Sequence, residues 1–310
     1  MIENLSLLMG IKLENIKVFL KSLSNEIGTI KAIYKLLKTI ASNIICIYGF
    51  TSILKDEAGY NMPDILMQNQ WLITVAVSII VSFINNRERT SYEAKLQESD
   101  FKINVQINNL FSVDANSYII PTNTFFRTVM EGEYISPQSV QGAFQLRYFN
   151  KKREELDNLI GESLKQQGLS GENASDCFGA VKRFPVGTVA KVDHNGKHYF
   201  FVAITDVNKY GKPVNQKFAN IEKAISGLFA TINKLGHCDE LAMPLIGTGR
   251  AAIQDATIER VVEYIIDRFI NTNDKIAKKL TICISPKAYL EGYADLNKIG
   301  KYVVYRCEFR

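Results

Sequence analysis

Two glycines flank a threonine in Gly247-Thr248-Gly249, with Arg250 next, at the end of the apolar run Met243-Pro244-Leu245-Ile246. The chemistry that these residue types suit is anion binding. Glycine lets backbone amides approach a ligand with no Cβ in the way. A helical pattern follows at once over 251–270, so the loop amides and the helix dipole would both point at a phosphate or pyrophosphate. A cation such as Arg250 in the first turn opposes that dipole, and a bound anion would explain it. The plainer alternative is a turn that binds nothing.

Two further segments carry polar groups at the ends of apolar runs. Ile119-Ile120-Pro121-Thr122-Asn123 reads as a strand that ends in a carboxamide, which can donate to and accept from a ribose hydroxyl. Ser136-Pro137-Gln138-Ser139-Val140-Gln141-Gly142-Ala143-Phe144 reads as a loop that enters a helix, with Ser139, Gln141 and Gly142 at its start. Ser285-Pro286 and Tyr289 close a late apolar run in the same manner. For Asn123, Ser139, Gln141 and Ser285 the alternative role is an ordinary turn or helix cap. Gly187-Thr188 reads as a hairpin or bulge. The five cysteines (46, 177, 238, 283, 307) form no close pair, as free thiols in a reducing compartment would. His194 and His198 flank the turn signal Asn195-Gly196, and with His237 they give no zinc spacing, so neither a metal nor a cofactor is expected.

The 310 residues carry a net charge of +5, with no dense Lys/Arg block, so a nucleic-acid footprint is not expected. Mean hydropathy is −0.04, high for a chain with 22% charged residues, so the apolar residues must be concentrated. They are concentrated in 36–54 and 66–84, each about the ~20 residues that cross a bilayer as a helix. Small and hydroxylated residues recur in both (Ala41, Ser42, Gly49, Ser52, Ala76, Ser78, Ser82), as helix packing in lipid favours. The alternative is a pair of buried helices in a soluble bundle. Against it, the stretch from Trp71 to Ile84 has no charge and no polar face, and Trp71 stands at the interface edge. Lys31, Lys35 and Lys38 precede the first span and Arg87 and Arg89 follow the second, while Asp56, Glu57 and Asp64 lie between. That asymmetry places both termini in the cytoplasm. Residues 1–30 read as an amphipathic or ordinary cytosolic helix, and 85–100 as a helical extension or linker.

From about residue 100 strand and helix signals alternate. Strands are expected at 101–107, 117–120, 186–192, 199–205, 240–246, 280–285 and 302–309. Helices are expected at 139–146, 151–165, 219–235, 257–270 and 290–297. The class is α/β, a mixed sheet between helices, with ligands beyond the carboxyl ends of strands.

The order of strand-end Asn123, the 136–144 loop-helix and the late Pro-Leu-Ile-Gly-Thr-Gly run 244–249 resembles a macrodomain over about 100–310. The resemblance implies a fold that binds ADP-ribose and its conjugates. Gly247, Thr248, Gly249 and Arg250, with Ile246 before them, would hold the diphosphate and its neighbouring ribose. Asn123 and the loop of Ser139, Gln141 and Gly142 would surround the distal ribose, and Ser285 would lie near adenine. The chain departs from the family where an adenine-reading acid is usual, at Asn108-Asn109-Leu110. It also reduces the Asn-Ala-Ala-Asn of hydrolytic members to Pro121-Thr122-Asn123 and lacks the following Gly-Gly-Gly. The resemblance therefore implies a binder and not an enzyme. Two spans before such a domain, together with the Phe-Pro-Val-Gly-Thr-Val run 184–189, resemble the membrane-macrodomain effectors of type II Thoeris anti-phage defence. That family implies a TIR-domain protein that makes the signal, reported as histidine linked to ADP-ribose. It also implies self-association into a homo-oligomer, damage to membrane lipids, and a bacterial inner-membrane location. A membrane-tethered ADP-ribosyl hydrolase and an inactive membrane scaffold are the other readings. The nearest acid upstream of Asn123 is Asp114.

Overall fold

The computed structural model describes residues 2–25, 30–56, 69–97, 99–236, 238–249, 253, 255–272 and 276–309. The chain divides at Thr90/Ser91 into two compact units.

Among its described residues the first unit has three helices: α1 (Ile2–Asn25), α2 (Ile30–Asp56) and α3 (Gln70–Asn86). Ala32–Ile53 within α2 is long and apolar enough to cross a membrane by length and composition. Its 22 residues rise about 33 Å, against the ~30 Å of a hydrocarbon core. α3 is apolar but shorter, at 17 residues. Residues 57–68, which include most of the inter-span loop and the start of the expected second span, lie outside the described residues.

α2 and α3 pack with the usual sidedness of a soluble protein reversed. The buried residues of α3 are Thr74, Ser78, Ser82 and Asn86, all polar. Leu72 is 67% exposed, Trp71 60% and Ile80 58%, and α2 likewise turns Ile45, Phe50 and Ile53 outward. In water such a surface would be driven inward. Asn43 Nδ2 donates to Ser82 Oγ at 2.9 Å and Gln70 Nε2 donates to Thr51 Oγ1 at 2.9 Å, which stitches the two helices together.

Among its described residues the second unit has ten strands: β1 (Ser91–Lys95), β2 (Lys102–Ile107), β3 (Ser117–Asn123), β4 (Glu172–Asp176), β5 (Gly179–Arg183), β6 (Val189–His194), β7 (Lys197–Val207), β8 (Pro213–Val214), β9 (Cys238–Pro244) and β10 (Ala277–Ile284). Its helices are α4 (Val140–Tyr148), α5 (Arg153–Gln166), α6 (Phe218–Leu235), α7 (Ile258–Asn271), α8 (Pro286–Leu290) and α9 (Leu296–Glu308). The main sheet runs β1-β2-β10-β9-β3-β7-β6, with β8 on β7. Its five inner strands are parallel, and β1 and β6 pair antiparallel at the sides. Strand alternation sends Ile119, Phe200 and Val202 to one face and Tyr118, Ile120, Tyr199 and Phe201 to the other. The first face is covered by α6, α7 and α9 through Ile225, Leu228, Val261, Ile265 and Val303. The second is covered by α4 and α5 through Phe144, Leu156 and Ile160. This is the expected mixed sheet between helices.

Three local expectations are corrected, and one hairpin was not foreseen. Residues 302–309 are not a strand: they lie in α9, where Leu296, Ile299, Gly300, Val303 and Cys307 recur at helical spacing and are buried. The β-branched pair Val303-Val304 suggested a strand, but Asp295 caps a helix by accepting from Lys298 N at 2.9 Å. The helix expected over 290–297 does not form, because α8 ends at Leu290 and Gly292 turns at φ 81°. Residues 85–100 contain β1, an edge strand whose polar sequence hides its pairing with β2. The β4–β5 hairpin stands off the main sheet and has no alternating apolar face to announce it.

Candidate functional site

The carboxyl ends of β2, β10, β9, β3 and β7 lie along one edge of the sheet, because these strands are parallel. Connections leave β3 toward β7 on one side and β9 toward β10 on the other, so the order reverses between β3 and β9. In open α/β sheets ligands bind beyond the carboxyl ends of the strands at such a switch point. Asn123 ends β3 and Gly247 follows β9, so the fold sets the two segments that the sequence singled out at the carboxyl ends of neighbouring parallel strands.

The Gly-x-Gly loop is held from below. Gly247 is buried at φ 81°, and a Cβ there would lie 2.8 Å from both Ile221 Cδ1 and Ile253 Cδ1. Its carbonyl accepts from Ile253 N at 3.0 Å. Thr248 is half-buried, and Gly249 is exposed, with nothing within 4 Å of where its Cβ would stand. Arg250 lies outside the described residues. Ile246 is fully buried in the core beneath the loop.

The helix following this loop starts later than the pattern implied. Residues 251, 252 and 254 lie outside the described residues, and α7 begins at Ile258. Its N-terminus is capped by Thr257 Oγ1, which accepts from Arg260 N at 3.3 Å. The helix that touches Gly247 is α6, through Ile221. The Arg260 guanidinium sits 3.9 Å over the Phe218 ring and so joins the first turns of α6 and α7. Sequence reasoning missed both residues, since each looks like an ordinary first-turn side chain.

Around Asn123 the polar side chains hold the frame. Asn123 is buried, and its Oδ1 accepts from Phe125 N at 2.9 Å. Thr122 Oγ1 donates to Gln141 Oε1 at 3.0 Å, and Gln141 Nε2 donates to the Arg127 carbonyl at 2.9 Å. Gln141 is therefore a strut between β3, the following loop and α4. Ser139 caps α4, its Oγ accepting from Gly142 N at 3.0 Å. Gly142 serves packing, since a Cβ there would lie 2.1 Å from the Ser136 carbonyl oxygen. Ser285 caps α8 in the same way, accepting from Ala288 N at 3.2 Å.

The acids are placed differently from their order in the chain. Asp114 Oδ1 takes the Lys197 ammonium at 2.9 Å, at the start of β7 and so at the opposite end of the sheet from Asn123. The acid that arrives beside Asn123 is Asp206, because Asn123 pairs with Thr205. Asp206 Oδ1 accepts from Thr124 Oγ1 at 2.8 Å and from Val207 N at 2.9 Å, with Arg183 at 3.6 Å. Among the described residues no group of three or more His, Cys, Asp or Glu could hold a metal.

Arg127 fastens the β4–β5 hairpin over the loop that follows Asn123. Its Nε and Nη2 bind the two Asp176 oxygens at 2.9 and 3.0 Å, and Nη2 also reaches the Ala180 carbonyl at 3.1 Å. The Asp176 side chain has no solvent exposure. Burial raises its carboxyl pKa, but Arg127, the Phe178 amide and the nearby Tyr134 phenol outweigh this and hold it below the usual carboxylate range. Burial, with Asp176 beside it, pushes the Tyr134 phenol well up. A depressed carboxylate stabilises the fold above its unfolded pKa of about 4, and that stabilisation is lost as pH falls through the folded value. At pH 7 Asp176→Asn is therefore expected to melt several degrees below the parent, with the gap closing below about pH 4. A gap that stays constant down to pH 3 would show that the ion pair does not hold the hairpin.

The family model for the macro domain of the Thoeris protein ThsA matches residues 103–285. Among solved structures, the Oceanobacillus iheyensis macrodomain with ADP is 11% identical, covering 69% of this chain and 98% of its own, at a TM-score of 0.46. The Thermus aquaticus DarG macrodomain is 12% identical, covering 58% and 95%, at 0.38. A Trypanosoma brucei macrodomain is 9% identical, covering 59% and 61%, at 0.39. No curated protein matches the sequence.

Proposed function

This chain belongs to the family of the Thoeris protein ThsA macro domain, and from that premise we propose that it is a membrane-bound receptor for an ADP-ribose-derived signal. The observation that carries the reading is the topology, which sets the exposed Gly249 loop after β9 and the Asn123 loop after β3 at the carboxyl ends of two neighbouring parallel strands, where the strand order reverses. The amides of such a loop suit a diphosphate. The signal is an ADP-ribose conjugate, with histidine-ADP-ribose the first candidate, supplied by a TIR-domain protein. Binding favours a homo-oligomer that breaches the membrane. A ligand drives such a change only through its differential affinity for the two states.

The membrane part of the proposal draws on the reversed sidedness of α2 and α3. An outward apolar surface around an inward polar seam suits lipid and does not suit water. With the basic flanks, this supports an inner-membrane hairpin with both termini in the cytoplasm.

The receptor reading includes no catalysis. A hydrolytic reading has one observation in its favour, the arrival of Asp206 beside Asn123. Against it, Asp206 Oδ1 accepts from Thr124 and Val207 and lies 3.6 Å from Arg183, so the carboxylate already serves as a structural tie between the end of β3, β5 and β7. Calorimetric titration of the full chain in detergent micelles with ADP-ribose and its histidine conjugate tests the proposal. Saturable binding with both ligands recovered unchanged is expected. Turnover that disappears in Asp206→Asn would establish the hydrolase instead, and no heat with either ligand would end the receptor reading.

A further inference from the structure

The geometry points to the buried polar seam of α3 as the lining of a water-filled path in the assembled protein, so that the membrane is breached by conduction through a pore. This rests on the membrane reading above and decides between two ways of breaching a bilayer, a walled path or general loosening of lipid. Thr74, Ser78, Ser82 and Asn86 follow one another at four-residue intervals, so they form one stripe of about 18 Å along the helix. The stripe is sorted by polarity and not by size. Within α3, Ala76, which would let two helices approach closely, is exposed, and Thr74, Ser78, Ser82 and Asn86 are inside.

Within one copy the stripe is incompletely satisfied. Asn43 and Gln70 reach Ser82 and Thr51, and Asn86 Nδ2 donates to the Ser82 carbonyl at 2.9 Å. Ser78 Oγ, in a residue with no exposure at all, has no partner among the described residues. A buried hydroxyl without a partner is satisfied if water reaches it. Two helices cannot enclose a lumen. Several copies that turn their stripes toward a common axis can, with water replacing the few bonds between α2 and α3. The apolar faces of Leu72, Ile73 and Ile80 then stay in lipid. No charge lies between Trp71 and Asn86, so the path would be weakly selective between cations and anions.

The test uses the full chain in a Cys46→Ala, Cys177→Ala background, in 3:1 phosphatidylethanolamine–phosphatidylglycerol bilayers, with ADP-ribose or its histidine conjugate added. Ser78→Cys and Ser82→Cys on the stripe are compared with Val77→Cys and Ile80→Cys on the apolar face. A membrane-impermeant cationic thiol reagent is expected to cut the current at least fivefold at 78 and 82 and to leave 77 and 80 unchanged. Ser78→Lys and Ser78→Glu are expected to shift the reversal potential in opposite directions. Block at 77 and 80 instead, or leakage of large dyes unaffected by any substitution, overturns the inference. A parent chain that binds nucleotide but passes no current overturns it alone. A parent chain that neither binds nor conducts overturns the receptor reading with it.

Discussion

Gly249→Glu is expected to lower affinity for ADP-ribose ligands at least a hundredfold while the chain stays folded. Gly249 is exposed and its Cβ would meet nothing, so the new side chain adds neither strain nor a clash. Open surface sites of this kind change stability by about 0.5 kcal/mol or less. A carboxylate about 5 Å from a phosphate repels it by roughly 3 kcal/mol at an effective dielectric of ~20, which is more than two decades in affinity. The measurement is titration calorimetry with a thermal melt of the same sample. A variant that titrates like the parent would remove the loop from the binding site. Gly247→Glu is a poorer probe. Gly247 sits at φ 81° with Ile221 and Ile253 at 2.8 Å, so a glutamate there is strained and buried. Loss of binding at 247 would mix a damaged core with a blocked site.

Gly227→Ala is expected to destabilise the second unit by about 3 kcal/mol or more, although alanine is the better helix former by about 1 kcal/mol. In α6 a Cβ on Gly227 would stand 2.1 Å from the Gly187 carbonyl oxygen and 2.8 Å from its carbon. Both are backbone atoms and cannot rotate away. Gly187 is itself fixed at φ 93°, with its amide donating to the Ala203 carbonyl at 2.8 Å. The helix must therefore lift from the sheet edge. Because Ile221 of the same helix supports Gly247, ligand affinity should fall with stability. At about 2–4 °C per kcal/mol for a unit of this size, the melting temperature should drop by roughly 10 °C. A variant that melts with the parent or above it would show that α6 is free to shift.

Six of the seven expected strands form, five of them inner parallel strands that are covered on both faces and so read as apolar runs, such as Ile119-Ile120 in β3 and Met243 in β9, while the edge strand β6 was legible through its buried Val189, Ala190 and Val192. β1 and the β4–β5 hairpin were not, since an edge or isolated strand buries one face or none, and its sequence looks like a linker. α9 was misread because two valines in a row favour a strand locally, while its helix is enforced by burial of Val303 and Cys307 against the sheet. In the site, the glycine loop was legible because its backbone chemistry is local. The employment of Gln141, Ser139 and Asn123 was not, because each is defined by a partner brought to it by the fold.

The sequence by itself determined the two-part organisation, the two apolar helices, the α/β core and the Gly247-Thr248-Gly249 loop. All of these follow from periodicity and composition over short windows, where each residue carries its own preference. Only the tertiary structure decided that Asp206 and not Asp114 stands beside Asn123, that α6 supports the Gly247 loop, and that Thr74, Ser78 and Ser82 of α3 face inward. Strand register sets the first, two opposed glycines set the second, and helix pairing sets the third. Each is a relation between distant segments, and such relations exist only once the chain has folded.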